Sequence, residues 1–570
     1  MDRNKTNIAS EAGVRAIITS VTLLLASIQP AKAQPEAVKD AAMSVFTLVT
    51  YDTNGEEMAT SHGVFVGDNG EAVSDLSPFE GADKAVVTDV KGNRMDVTRM
   101  IGVNELYGVA HFRVDGKTTP AAMASSDLAP GAQAWLVPYA EKGKATPVEA
   151  SVKDVEKFMD KYSYYIFSMT PPETGDACPF VNDAGEVMGL MQRSSMGDNV
   201  HATDIRFIAR LEHNGFAFSN ATLQKTSIPA AMPSEMSQAR VMLMMAGQSR
   251  DTLKYEAAIS DFTSMFPTVT DGYMAKAQLL SGRGLFDEAS AVMEEAAKKV
   301  TDKGDAHFCY ARLMYNKLTS DSRPYEPWTL DAAMEEVQAA YAISPQPVYE
   351  HLKAQIHFSK GEHQAAYDIF AKLCDDNNFN LSELLFECAQ CKQMLGATNE
   401  ELLLLLDSAI NTTDTMRLNE AAPYFLMRGD IYNLMGNYRQ AVFDYTRYAV
   451  LTPQMPSAQF YYIKEQAEVK GKLYKQALDD IARAIITAPN EPMYIAEMSS
   501  LYLRVNQPEN ALTMAEKCVE IAPDYSTGHV LHGLSLIKND RKEEGLEALR
   551  KAKELGDPQA QTLIDKYSAQ

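Results

Sequence analysis

The chain has 570 residues, of which 46% are hydrophobic and 23% charged, and its formal net charge is −23. This length exceeds what one hydrophobic core usually serves, so at least two domains are expected. The acidity argues against nucleic acid and anionic membrane surfaces as ligands, because both repel a negative protein. We therefore expect a protein or peptide partner and leave the oligomeric state open.

The first 33 residues have the three parts of a secretory signal peptide. The basic residues Arg3, Lys5 and Arg15 precede or border an apolar run over 16–28, and the small-residue pattern AKA ends at Ala33. Such a segment directs export and is then removed. The run is shorter than the roughly 20 residues that span a bilayer. We predict an exported chain without direct membrane insertion, in the periplasm or, as an alternative, outside the cell.

Residues 34–218 show the period of two that is typical of β-strands. The runs that carry it are SVFTLVTYD, GVFVG, KAVVTDV, AQAWLVPY, YSYYIFSMT and EVMGLMQ. No helical period separates these runs. We predict an all-β region, either a pair of barrels or a sandwich.

Several segments of this region resemble trypsin-like (chymotrypsin-fold) serine peptidases of the HtrA kind. Those matching the histidine, aspartate and serine segments are SHGVFVGDNGEAVSDLSPFEGADKAVVT, IGVNELYGVAHFRV and TGDACPFVNDAGEVMGLMQ. The later HATDIRFI matches the last barrel strand of that family. The resemblance implies a double β-barrel.

The catalytic positions of that family are replaced in this chain. Ser77 stands where the family has histidine and Gly108 where it has aspartate. Asp176 or Ala177 stands at the position of the nucleophilic serine. The mechanism needs a base beside a hydroxyl and a carboxylate that orients the base. We therefore predict a degenerate peptidase fold without catalytic residues.

Cys178 offers an enzymatic alternative, because it lies in the serine loop and related folds use a thiol there. A thiol nucleophile needs a histidine partner, and His62 and His111 are the two in the first half of the β region. Pro179, however, replaces a glycine whose amide helps to form the oxyanion hole of the family. A buried or surface thiol without chemistry is the simpler interpretation.

Residues 219–237 are polar, contain Pro229 and Pro233, and follow neither period, which predicts a linker. A helical period then recurs from residue 238 to 556. Small residues mark the second helix of successive units at Ala258, Ala289, Ala333, Ala366, Ala441, Ala477, Ala511 and Gly545. Prolines follow four of these markers by 12 residues, at Pro345, Pro453, Pro489 and Pro523. Two independent markers with one spacing indicate tandem helical hairpins.

The unit AAPYFLMRGDIYNLMGNYRQAVFDYTRYAVLTP, residues 421–453, resembles a tetratricopeptide repeat (TPR), with Gly429 where its two helices cross. The resemblance implies an all-α solenoid of eight or nine hairpins over 238–556 and a capping helix over 557–570. We place Glu401 of the segment ELLLLLDSAI in a small-residue position, which predicts a degenerate unit.

In this family the first helices of the hairpins line a concave groove that binds peptides. The groove positions of the family fall on Asp430, Asn433, Tyr462, Gln466, Met493, Arg504 and Lys538. The clamp that some members use for a terminal carboxylate is missing, since Leu426, Asp430, Ile463 and Glu497 hold its places. The alternative for each groove residue is an ordinary solvated helix face.

Five of the six cysteines lie in the helical region at apolar positions. Cys388 and Cys391 form a CxxC inside a helical pattern, where a redox motif is not expected. We predict structural thiols, with a disulfide involving Cys374 or Cys388 as the alternative. We predict no cofactor and no metal site.

Together these patterns predict an exported, non-enzymatic adaptor or scaffold that binds protein or peptide partners. It would combine an inactive peptidase-like β domain with a TPR solenoid. One alternative is an active serine- or cysteine-type endopeptidase whose repeats recruit substrate. A second is a structural component of an envelope secretion or biogenesis complex.

Overall fold

A computed structural model describes residues 35–569 apart from 171, 173–174, 194–199, 218–219 and 250. The predicted signal peptide lies outside these residues. The chain divides into two compact units, with the division between Ala306 and His307. Within the described residues, no helix is both long and apolar enough to cross a membrane.

The first unit contains two closed antiparallel barrels of six strands each, with strand orders β1-β2-β3-β6-β5-β4 and β10-β11-β12-β9-β8-β7. The first barrel comprises β1 Val45–Tyr51, β2 Glu57–Phe65, β3 Glu71–Asp75, β4 Lys84–Asp89, β5 Arg94–Asn104 and β6 Val109–Val114. The second comprises β7 Gln133–Leu136, β8 Val148–Phe158, β9 Tyr162–Ser168, β10 Pro179–Val181, β11 Val187–Arg193 and β12 Val200–Asp204. The predicted all-β region is confirmed, as a pair of barrels. Closure pairs the edge strands that an open sheet would expose.

Alternation along the strands fills each barrel with aromatic side chains. In the first barrel Phe46 packs against Phe65, with ring centroids 4.7 Å apart. In the second, Phe167 stacks on Phe180 at 3.9 Å. All four rings are buried. The period of two in the sequence is therefore the period of core-facing side chains.

The segment HATDIRFI is only partly a strand. Helix α1 is Glu36–Asp40. Strand β12 ends at Asp204, and Ile205–Ile208 forms the short helix α2. The Asp204 carboxylate accepts a hydrogen bond from the backbone N–H of Arg206. An aspartate in this position caps a helix start, which is the reason the predicted strand stops there.

Residues 220–235, most of the predicted linker, lie along the first barrel. Met100 of β5 donates its N–H to the carbonyl of Pro229 at 2.9 Å and accepts the N–H of Ala231 at 2.7 Å. The Thr226 hydroxyl donates to the carbonyl of Ala82. The short helix α3, Ala221–Gln224, belongs to the same segment. These hydrogen bonds anchor the predicted linker to the barrel wall.

The longer helices that follow in the first unit are α4 Met236–Gln248, α5 Thr252–Met265, α6 Thr270–Gly282 and α7 Phe286–Lys299. The first barrel shares one hydrophobic cluster with α4 and α5, in which Met100 and Phe112 join Met242 and Phe262. Arg99 of β5 also donates to the Asp261 carboxylate of α5 at 2.6 and 2.9 Å. The first barrel and the first helices are therefore packed as one body.

Helix α8, Lys303–Ser320, spans the division between the units, and the second unit is helical to its end. Its helices are α9 Leu330–Ile343, α10 Pro347–Ser359, α11 His363–Leu373, α12 Leu381–Met394, α13 Asn399–Thr412, α14 Ala422–Leu434, α15 Tyr438–Leu451, α16 Ala458–Lys470, α17 Tyr474–Thr487, α18 Pro492–Arg504, α19 Pro508–Ile521, α20 Ser526–Lys538, α21 Lys542–Glu554 and α22 Ala560–Ser568. The predicted all-α solenoid class is confirmed.

The repeat markers have the predicted structural roles. Ala441, Ala477, Ala511 and Gly545 are each the fourth residue of a second helix and are buried. Each marker proline stands two residues beyond the end of its helix, as Pro453 does after Leu451. Proline cannot continue a helix, so the prolines fix the helix ends.

The placement of Glu401 in a small-residue position is wrong by one residue. Glu401 is exposed and forms a capping box with Thr398 at the start of α13. Leu402, which is 3% exposed, is the fourth residue of that helix. The carboxylate satisfies a backbone N–H at the helix start, whereas the crossing position needs an apolar side chain.

Candidate functional site: a helical groove and a cleft without a triad

The predicted catalytic positions of the first barrel meet in the structure. Ser77 is exposed in a short helical turn after β3. The N–H of its neighbour Leu76 donates to the carbonyl of Gly108 at 2.9 Å. From the second barrel, Gln192 donates to the carbonyl of Tyr107, beside Gly108. The structure therefore brings the two turns of the first barrel together and places a residue of the second barrel against them.

Ala177, at the serine position, is buried and has a φ of +58°. That conformation is uncommon for a residue with a Cβ and is often found at functional loops. Its methyl side chain offers no nucleophilic atom. Ser77, Gly108 and Ala177 themselves supply neither a base nor a carboxylate.

The titratable groups of this cleft are His62, Asp75 and Asp176, each half-buried. Burial, and then the negative charge of Asp176, raise the pKa of Asp75 to about 7, while the Ser61 hydroxyl acts against the rise. Burial lowers the pKa of His62, and the backbone and charge of Asp176 oppose that change. The sequence reasoning did not include Asp75, although it lies two residues before Ser77.

Cys178 is fully buried. Burial raises the pKa of its thiol to about 12, with a further contribution from the negative charges of Asp176 and Asp75. A nucleophilic cysteine needs a thiolate at working pH, which this environment disfavours. His111 is also buried, and its Nδ1 lies 3.0 Å from the carbonyl of Leu211.

Cys374 is the cysteine that we expect to react first in the folded protein. It is half-buried at the end of α11, whereas the other five cysteines are buried. A brief treatment with a water-soluble maleimide should label Cys374 before any other thiol, because attack requires access to the sulfur. Peptide mapping measures this order, and Cys374→Ser is the control. Preferential labelling of Cys178 would contradict the prediction and support the thiol-peptidase alternative.

The structure places Cys374 beside Cys388 of α12. Burial raises the pKa of both thiols. A side-chain hydrogen bond between them lowers the pKa of Cys374 and raises that of Cys388. Cys391, the other member of the CxxC, is buried on the same helix. A disulfide between Cys374 and Cys388 would therefore join neighbouring thiols.

In the second unit, the first helices of successive repeats lie side by side. The Tyr462 ring of α16 lies 5.5 Å from the Tyr494 ring of α18. The Tyr494 hydroxyl donates to Gln459 of α16 at 3.3 Å. Phe386 of α12 and Tyr424 of α14 form a similar contact at 4.6 Å. These contacts join first helix α16 to α18 and first helix α12 to α14.

The predicted groove residues are spread over four first helices, α14, α16, α18 and α20, so they form a surface rather than one pocket. Asp430 is exposed and accepts a hydrogen bond from the Tyr445 hydroxyl at 2.8 Å. Arg504 and Lys538 are exposed at the ends of α18 and α20. Half-buried positions are held by Asn433, Tyr462, Gln466 and Met493.

Glu465 is a groove-helix residue that the sequence reasoning missed. It is the eighth residue of α16, and the eighth residue is small in α10, α14, α18 and α20, namely Ala354, Gly429, Ser499 and Gly533. Glu465 is 0% exposed, and its Oε1 is among the buried polar atoms of the described chain that have no hydrogen-bond partner. Aligning the first helices as well as the second would have identified this departure.

The environment of Glu465 is acidic. Burial, and then the charge of Glu497 on the neighbouring α18, raise the pKa of Glu465 to about 8. Gln466 opposes the rise by donating a hydrogen bond to Oε2 at 2.8 Å. A buried carboxyl next to a second carboxyl is unfavourable when both are ionised. Glu465 therefore holds a proton at neutral pH, and the pair carries one negative charge.

An ion pair recurs beside this position in two successive repeats. Arg428 of α14 contacts Asp444 of α15 at 2.8 Å, and Lys464 of α16 contacts Asp480 of α17. Each basic residue is the seventh of its first helix, and each aspartate is buried. The recurrence indicates that these pairs have a structural role within the hairpin. Glu465 has no counterpart at the same position of the other first helices named above.

A tetratricopeptide repeat family model matches residues 495–525. These residues comprise most of α18, all of α19 and the turn before α20. No curated protein matches the chain. The helical region therefore contains a repeat of a class that mediates protein–protein interaction, and the two barrels before it are compatible with a trypsin-like fold. In the described residues, no group of three or more histidine, cysteine, aspartate or glutamate side chains is arranged to hold a metal ion.

Proposed function

We propose that this protein is an exported, non-enzymatic adaptor that holds a protein or peptide segment on the first-helix surface of its repeats. The observation that carries the proposal is the contact between first helices α16 and α18 at the matched repeat, where Tyr462 and Tyr494 meet. Accessible polar and aromatic side chains on such a surface bind extended segments. The barrels act as a peptidase-like domain that does not cleave.

Photo-crosslinking in cells tests the binding surface. A benzophenone amino acid replaces Tyr462 on first helix α16, and in a matched control it replaces Phe443, which is 60% exposed on second helix α15. We expect partner crosslinks from position 462 and few from 443. The double variant Tyr462→Ala and Arg504→Ala should lose the partner in a pull-down. Equal crosslinking from both positions would contradict the groove.

The same crosslinks separate the adaptor from a fixed assembly component. An adaptor gives several crosslinked products, whereas a component of an envelope complex gives one stoichiometric neighbour. The enzymatic alternative is tested by incubation of the pure protein with casein. Cleavage that disappears in Cys178→Ala would replace the adaptor proposal, because the buried thiol would then be reactive.

Export is tested directly. We expect the mature protein to begin at Gln34, because the signal pattern ends at Ala33. Mass measurement of the purified native protein and cell fractionation check this. Leu24→Arg, which breaks the apolar run, should leave an unprocessed precursor inside the cell, and Thr22→Ser serves as the matched neutral change.

A further inference from the structure

We propose that the surface formed by Tyr462, Glu497 and Tyr525 receives a cationic side chain, lysine or arginine, from the partner segment. The inference rests on the proposed function and specifies the chemistry of the partner. Its location is where α16, α18 and the residue preceding α20 come together.

Three aromatic rings and two carboxyls meet at this surface. Tyr462, Glu497 and Tyr525 are half-buried and thus reachable, while Tyr494 is buried behind them. The Tyr462 ring lies 5.5 Å from the Tyr494 ring, and Tyr525 packs against the same hydrophobic cluster. Glu465 and Glu497 follow Tyr462 and Tyr494 by three residues on adjacent first helices, which puts each carboxyl on the helix face of its tyrosine. Burial, and then the charge of Glu497, raise the pKa of Tyr462. A cation between carboxylates and aromatic faces gains attraction from both.

The buried carboxyl of Glu465 supports the inference independently of the aromatic contacts. Its fully buried carboxyl belongs to this group and has an oxygen without a partner in the described structure. The nearby cation is Arg504, which is exposed at the end of α18 and offsets the acidic pair only in part. A cation seated against Glu497 would reduce the repulsion between Glu497 and Glu465. An anionic partner would instead meet the negative charge of Glu497 and favour protonated Glu465.

A second acidic region lies beyond the adjoining repeat, whose residues 421–453 contain two acidic and three basic residues. Residues 321–420 contain 17 aspartate and glutamate residues against six lysine and arginine residues. On first helix α12, Glu383 is exposed and Glu387 is half-buried. Burial and then the charge of Glu387 raise the pKa of Glu383. A partner segment with several spaced basic residues would therefore be attracted over three repeats, whereas an acidic segment would be repelled.

Fluorescence anisotropy of a defined probe tests the inference. The probe is a labelled nine-residue peptide of alternating lysine and serine, and the comparison peptides carry acetyl-lysine or glutamate in place of lysine. We expect the full-length protein to bind only the lysine peptide. Glu497→Gln should weaken this binding about tenfold, equivalent to roughly 1.4 kcal/mol. Glu509→Gln, the same charge change at an exposed position of α19, should leave it nearly unchanged.

Two results would overturn the inference. One is equal binding of the acetyl-lysine peptide, and the other is equal weakening by Glu497→Gln and Glu509→Gln, which would show unspecific attraction to an acidic protein. Tyr462→Phe, which keeps the ring, should retain binding that Tyr462→Ala loses, and circular dichroism establishes that both variants are folded. Crosslinked partners whose contacting segments lack basic residues would refute this inference and leave the adaptor proposal standing. Absence of crosslinks would refute the adaptor proposal.

Discussion

Gly533→Ala is expected to destabilise the last helical hairpin by about 2–3 kcal/mol, a cost typical of overpacking in a close contact. A Cβ at Gly533 of α20 would lie 2.7 Å from the carbonyl oxygen of Gly545 on α21 and 2.8 Å from Cγ of Leu549. Gly545 approaches Gly533 equally closely from the other helix. Because backbone blocks the added methyl group, the two helices must separate. Hydrogen exchange of the α20 and α21 amides measures the local loss of stability.

Gly282→Ala is the matched control. Gly282 is the last residue of helix α6, and an added Cβ there meets no atom within 4 Å. Alanine should stabilise this helix by about 0.5–1 kcal/mol, because it restricts the unfolded chain more than glycine does. If the two substitutions had the same effect on stability, the close crossing of α20 and α21 would be contradicted.

Glu465→Gln is expected to stabilise the protein at pH 7.5 by roughly 2 kcal/mol, because it removes a buried ionisable carboxyl. The pKa of Glu465 is raised from 4.5 to about 8 in the folded chain by burial and by Glu497, with Asp480 adding to the rise and Gln466 and Arg504 opposing it. The folded state therefore binds a proton that the unfolded state releases. Stability should fall as pH rises from about 4.5 to about 8, by at most about 5 kcal/mol.

Thermal unfolding of the native protein and of Glu465→Gln between pH 4.5 and 8.5 measures this difference. The melting temperatures should be nearly equal at low pH and diverge as the pH rises. Some pH dependence will remain in the variant, because burial also raises the pKa of Glu468, which Lys464 contacts at 3.2 Å. Glu509→Gln on the exposed face of α19 should follow the native curve. Parallel curves for Glu465→Gln and the native protein would show that Glu465 is not held protonated.

Much of the helical region could be predicted because its markers act locally. Pro453 and Pro523 end helices through their own ring geometry, and Ala441 and Ala511 fit crossings that accept only a small side chain. The strands of the barrels were predictable from alternation for the same reason. Alternation alone does not choose between barrels and a sandwich, because that depends on which distant strands pair, such as β1 with β4; the double barrel was predicted from the family resemblance.

The candidate site was less predictable because its properties arise between helices. Tyr462 was predicted from the groove positions of the repeat family. The acidity around it was not, because it depends on Glu465 and Glu497, which come from adjacent repeats. Asp75 was missed because its pKa reflects burial and a charge from the other barrel. Glu401 was misplaced by one residue, since a capping carboxylate and a crossing residue are neighbours in sequence and differ only in the direction of their side chains.

The shared core of the first barrel with α4 and α5 has a consequence for dissecting this protein. A fragment that begins at residue 238 would leave Met242 and Phe262 without the barrel residues that cover them, and Asp261 without Arg99. A fragment that ends at residue 237 would expose the barrel residues Met100 and Phe112, which belong to the same core. The boundary that repeat spacing suggests is therefore a poor place to cut. We expect the barrels and the first helices to fold as one cooperative unit. They should therefore be produced, and exchanged between proteins, as a single fragment.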